Sequence, residues 1–86
     1  MLDVEQLKSK IRLHFNEFIC KSSKRNLAME KNKIGIYITN YDLLVIEDIT
    51  NKNSKELYID YYDLELYTIE EIMEKLENFI NEIGGN

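Results

Sequence analysis

The last quarter of the chain carries one complete amphipathic helix, and that element constrains the rest of the fold most. Ile69, Ile72, Met73, Leu76, Phe79, Ile80 and Ile83 recur at three- and four-residue steps, so they form a single apolar stripe. Glu70, Glu71, Glu74, Glu77 and Glu82 occupy the opposite face. Thr68 followed by Glu71 is a capping box, with Tyr67 and Ile72 at the two staple positions. Gly84-Gly85 supplies a stop signal. Such a stripe is stable in water only when it lies on another apolar surface.

That surface is provided by three alternating segments. In KIGIYIT (33–39), Ile34, Ile36 and Ile38 share one side, and Gly35, Tyr37 and Thr39 the other. Leu43–Ile49 is a β-branched run in which either Leu44 and Ile46 or Leu43 and Val45 point inward. Glu56–Tyr62 places Leu57, Ile59 and Tyr61 opposite Tyr58, Asp60 and Tyr62. Asn40-Tyr41-Asp42 and Thr50–Lys55 supply turns between them. A second amphipathic helix is expected over 3–21, from Val4, Leu7, Ile11, Phe15 and Phe18. The segment CKSSKRNLAMEKNK (20–33) reads as a polar loop, with room for a short helical turn around Leu27–Glu30. The order is α-β-β-β-α. The expected fold is α+β, one domain over 1–86, with a three-stranded antiparallel sheet and both helices packed on one face.

Helices on one face leave the other open. Alternation assigns Tyr37, Tyr58, Asp60 and Tyr62 to that open face, with Asp63 and Glu65 close behind. The middle strand adds Glu47 or Asp48. Tyrosine offers a large contact area at small ordering cost, and it is enriched in interfaces. Charge is unevenly divided. Residues 1–33 hold eight bases against four acids, whereas 34–86 hold twelve acids against Lys52, Lys55 and Lys75; the net charge is −5. The acidic portion repels nucleic acid directly and attracts basic protein surfaces.

Other chemistry lacks its residues. One Cys and one His cannot assemble a zinc site, so no metal and no cofactor are expected. His14 falls on the first helix's stripe as a core or boundary residue, and Cys20 reads as a small apolar residue. Leu13 and Cys20 sit off that stripe and mark a minor contact with the 20–33 loop or with a partner. No Gly-rich phosphate loop or Ca²⁺-loop pattern occurs, and no catalytic residue is assigned. An enzyme is not expected. No apolar run is long enough to span a bilayer and the N-terminus lacks a signal pattern, so a cytoplasmic protein is expected.

The element order is similar to that of double-stranded-RNA-binding domains. Those carry a basic cluster at the start of the last helix, where this chain has Thr68-Ile69-Glu70-Glu71-Ile72-Met73-Glu74. RNA binding is therefore not carried over. In size, acidity and element order the chain resembles small acidic phage-encoded anti-CRISPR proteins. That resemblance implies a protein that occupies the basic DNA channel of a CRISPR effector nuclease. Carboxylates would stand there in place of phosphates. Glu47, Asp48, Asp60, Asp63, Glu65, Glu70, Glu71 and Glu74 are the candidates, with Tyr58 and Tyr62 from the open face. Two other readings stay open. One is an immunity or antitoxin protein that neutralises a basic toxin. The other is a structural homodimer paired through the open sheet face.

Overall fold

A computed structural model describes residues 2–21 and 26–84. Its elements are helix α1 (Val4–His14), strands β1 (Ile19–Cys20), β2 (Leu27–Lys31), β3 (Ile34–Thr39), β4 (Asp42–Ile46) and β5 (Glu56–Ile59), a short helix α2 (Tyr61–Leu64) and helix α3 (Ile69–Gly84). The fold is α+β, as expected. The sheet, however, has five strands rather than three, antiparallel and in the order β1-β2-β3-β4-β5.

β2 comes from the segment read as a loop, and β1 from the end of the segment read as the first helix, where that helix and the loop were expected to meet. Leu27-Ala28-Met29-Glu30-Lys31 consists of strong helix formers, yet it pairs along its whole length with Ile34–Ile38. Burial decides the matter: Leu27 and Met29 are each 1 % exposed on the inner face, a gain that outweighs intrinsic preference. A two-residue connection, with Asn32 at φ 55°, closes this hairpin. Asparagine tolerates that left-handed conformation better than most residues.

Two boundaries also differ from expectation. α1 ends at His14 rather than near residue 21, because the backbone leaves the helix at Phe15 (φ −103°, ψ 48°). A turn closed by the Phe18 amide on the Phe15 carbonyl (3.0 Å) then keeps both rings in the core. β5 ends at Ile59 rather than at Tyr62. The Asp60 carboxylate accepts the Asp63 amide at 2.8 Å and starts α2, which drives Leu64 fully into the core.

Pairing register fixes the faces. Leu27, Ile38, Leu43 and Ile59 stand in one cross-strand row, and Met29, Ile36, Val45 and Leu57 in the next. Directly paired residues share a face. These rows join Leu7 and Ile11 of α1, Leu64, and Ile72 and Leu76 of α3 in one cluster. The ambiguity in β4 is thus resolved with Leu43 and Val45 inward. α1 and α3 run side by side in the same direction, since Lys10 meets Glu70 (3.9 Å) and His14 meets Glu77 (3.7 Å).

The capping box forms as the sequence predicts. The Thr68 amide donates to Glu71 Oε1 (2.9 Å), and the Glu71 amide donates to Thr68 Oγ1 (3.1 Å). These bonds hold the Glu71 carboxyl below its ordinary pKa. Thr68→Ala is expected to lower stability by about 1 kcal/mol in urea unfolding, with no change in the slope. The glycine stop falls at the edge of the description: Gly84 is the last helical residue, and Gly85 lies outside the described residues, as do Lys24 and Arg25.

Candidate functional site

The outer face of the sheet carries two rows that the core cluster does not include. Ala28, Tyr37, Leu44 and Tyr58 form one; Glu30, Gly35, Ile46 and Glu56 form the other, with Ile19 beside Glu30. Tyr37 lies back over Gly35 so closely that a Cβ there would stand 2.4 Å from the ring. Glycine is required for that approach. The Tyr37 hydroxyl donates to Glu30 Oε2 (2.8 Å), and Glu30 also accepts from Lys21 Nζ (2.9 Å).

Partial burial, and then the Glu30 carboxylate, push the Tyr37 hydroxyl up to about 12. Lys21 and Tyr37 together hold Glu30 below its usual value. Because the folded state keeps the Tyr37 proton longer than the unfolded chain, stability from this group is present below pH 10 and is lost as pH rises toward 12. Tyr37→Phe is expected to flatten that decline when unfolding is followed from pH 9.5 to about 12. An unchanged slope would mean that Tyr37 ionises alike in both states.

The densest group of candidate residues lies where β4 begins and β5 ends. Asn40 and Tyr41 form the two-residue β3–β4 turn, both at positive φ (51° and 70°), as a hairpin of this length demands. Asp42 then joins three elements. Its Oδ2 accepts from the Tyr58 hydroxyl (2.8 Å) and its Oδ1 from the Tyr61 amide (2.8 Å). The Tyr41 and Tyr61 rings stand 5.6 Å apart, and those of Tyr61 and Tyr62 5.7 Å apart. Tyr41 and Tyr58 are each 55 % exposed and Tyr62 79 %. The bond to Glu65 raises the Tyr61 pKa, and the bond to Asp42 raises that of Tyr58. A cleft of about 380 Å³ beside them is lined by Leu2, Asp3, Val4, Glu5, Tyr41, Tyr61 and Glu65. Those lining residues include three carboxylates and no Lys or Arg.

The sequence-predicted residues therefore divide into groups. Tyr58, Asp60, Tyr62, Asp63 and Glu65 gather at this end, joined by Asp3, Glu5, Tyr41, Asp42 and Tyr61, which sequence reasoning missed. The signal for Asp42 was its place directly after a two-residue turn, where its carboxylate can reach the neighbouring strand. Glu47 and Asp48 lie just past the far end of β4, beyond the length of β5, roughly 16 Å or more from Asp42 at about 3.3 Å per residue. Asp48 organises its own turn: its carboxylate accepts from the Thr50 amide (2.9 Å) and hydroxyl (2.6 Å), which lowers its pKa. Glu71 and Glu74 lie on α3, in the helix layer, whereas Glu70, also on α3, shares a cleft with Asp3 and Glu65 at the edge of the first group.

His14 is a boundary residue, with its side chain 47 % exposed and its ring edge-on to Phe15. Cys20 is exposed on β1. Among the described residues, no group of three or more His, Cys, Asp or Glu side chains is placed to hold a metal ion. No described helix is long and apolar enough to cross a membrane. No protein-family model matches the chain, and no curated protein or solved structure shows significant similarity to it.

Proposed function

We propose that this chain is a non-enzymatic acidic inhibitor that docks its tyrosine-and-carboxylate end on the Lys/Arg-lined nucleic-acid channel of a partner protein. The resemblance in size and acidity, without the three-strand element order that the fold replaces, is the basis for naming a CRISPR effector nuclease as the partner class. The observation that carries the reading is the grouping of Tyr41, Tyr58, Tyr61 and Tyr62 with Asp42, Asp60, Asp63 and Glu65 at one end of the sheet, where Tyr41, Tyr61 and Glu65 line a cleft that has no Lys or Arg in its lining. Carboxylates take guanidinium groups through charge-assisted hydrogen bonds, and tyrosine faces take them through cation–π contact. Capped α2 and the hairpin turn hold these groups before a partner arrives, which reduces the ordering cost of association. The same charges oppose direct binding of DNA or RNA.

The test is cleavage by a panel of CRISPR effectors with increasing amounts of the chain, at low and at high salt. Inhibition of at least one effector, weakening as salt rises, is the expected result. Full cleavage across the panel with the chain in excess would overturn the nuclease assignment.

Tyr41→Gly offers a clean probe of the surface. Relief of the positive φ offsets the lost ring contact with Tyr61, so stability should stay within about 1 kcal/mol of the parent. Inhibition should nevertheless weaken, because an exposed ring has gone. Equal inhibition by the variant would remove Tyr41 from the surface.

The open sheet face favours a second reading. Ile19 is 67 % exposed there on the edge strand β1, and half-buried Leu44 and Ile46 lie on the same face three strands away. A homodimer would cover this patch, and sedimentation at micromolar concentration separates the two readings.

A further inference from the structure

We infer that the groove between α1 and α3 is a docking site for an amphipathic, Lys- or Arg-bearing helix of a partner protein. It is an open groove of about 570 Å³ on the helix layer, and only Glu70 at its end also lines the cleft that reaches Glu65. Lys10, Leu13 and His14 of α1 line one side, and Glu70, Met73, Glu74 and Glu77 of α3 the other. Each set follows three- and four-residue spacing, so each is one helix ridge.

Leu13 is 77 % exposed on this groove and offers an apolar contact to an occupant. Met73, a side chain that adapts to many shapes, lines the same channel. The charges are unbalanced: one lysine stands against three glutamates. Lys10 reaches Glu70 at 3.9 Å and His14 reaches Glu77 at 3.7 Å, whereas Glu74 between them has no ion-pair partner among the described residues. An occupant that brings apolar side chains to Leu13 and the exposed part of Met73, and a cation to Glu74, complements this lining.

A third helix meets those demands. Two parallel helices present a groove of the right width, and an apolar face at i, i+3, i+4 and i+7 fills it. Glu70 to Glu77 spans two turns, about 10 Å of axis, so a docked helix of about three turns covers the site. Charge selects between a foreign helix and a second copy. A second copy would bring another lining with three glutamates against one lysine, so both surfaces carry the same sign, whereas a basic helix neutralises the glutamates.

The experiment is a titration of the isotope-labelled full chain by NMR at about 150 mM salt, where exposed charges more than roughly 8 Å apart are largely screened. The probe is a synthetic 14-residue Leu/Lys peptide with a helical apolar stripe. The controls are a scrambled peptide of the same composition and a Leu/Glu peptide with the same stripe. Expected are shifts confined to Lys10–His14 and Glu70–Glu77. Binding should fall at least tenfold in Leu13→Asp and in Glu74→Lys. Both sites are on the surface, and unchanged circular dichroism confirms that the variants fold.

Equal binding of the scrambled peptide would reduce the effect to bulk charge and overturn the proposal. So would equal binding of the Leu/Glu peptide, shifts confined to the α2 end, or a dimer that Leu13→Asp dissolves. The inhibitor reading stands on the residues of the α2 end, none of which lines this groove, and survives each of those results, apart from a dimer that also buries the tyrosines.

Discussion

Ile36→Ala is expected to lower the unfolding free energy by about 2–5 kcal/mol. Ile36 is fully buried in the middle strand of five, flanked in register by Met29 and Val45 and covered by the helix residues of the same cluster. Removing its outer carbons loses their transfer energy and leaves a void that a sheet pinned on both sides closes poorly. A domain of this length holds a total of only about 5–15 kcal/mol, so the variant should unfold at markedly lower urea. Leu44→Ala, on the opposite face of the adjacent strand and outside the core cluster, should lose about 1 kcal/mol or less. A loss at Ile36 no larger than that at Leu44 would mean that the helices do not cover the face assigned to them.

The second large effect concerns binding. Tyr62→Ala combined with Asp63→Lys is expected to weaken association with the partner about 100-fold or more. Tyr62 is 79 % exposed, and Asp63 contributes only its backbone amide to the Asp60 cap, so the fold should tolerate both changes. The aromatic truncation acts mainly on dissociation. Reversing the charge acts on the rate of encounter and on its salt dependence. Glu47→Lys, at the far end of the sheet, should alter affinity less than threefold if the docking surface is confined to the α2 end. Equal losses from Glu47→Lys and from the pair would show that overall charge, not the tyrosine-rich end, governs association.

Much of this architecture was legible where one signal dominated locally. The Ile34, Ile36, Ile38 alternation identified a half-buried strand, and Thr68 with Glu71 located the start of α3. β2 was illegible because its preferences and its conformation conflict: Leu, Ala, Met, Glu and Lys favour a helix, and only the partner strand makes them extended. The overlong first helix has a related cause. Phe15 and Phe18 continue a three-residue spacing that a tight turn satisfies as well as a helix does.

α2 had a signal that alternation concealed. Asp60 and Asp63 stand three apart, and the side chain of the first caps the amide of the second, but Tyr58, Asp60 and Tyr62 also read as one side of a strand. The candidate surface was legible in composition but not in arrangement. Clustering in sequence identified Tyr58 through Glu65. Only the β4–β5 register shows that Asp42 belongs with them and that Glu47 and Asp48 do not share their end.

Every strand pairs with its neighbour in the chain, so the sheet assembles by closing short loops. The helix layer is different, because α1 and α3 meet only after the whole sheet has been made between them. During synthesis the hairpins can zip in order while the inner rows stay bare until the final helix arrives. That interval is when the chain is most prone to aggregation, and the speed with which α3 lands sets its length.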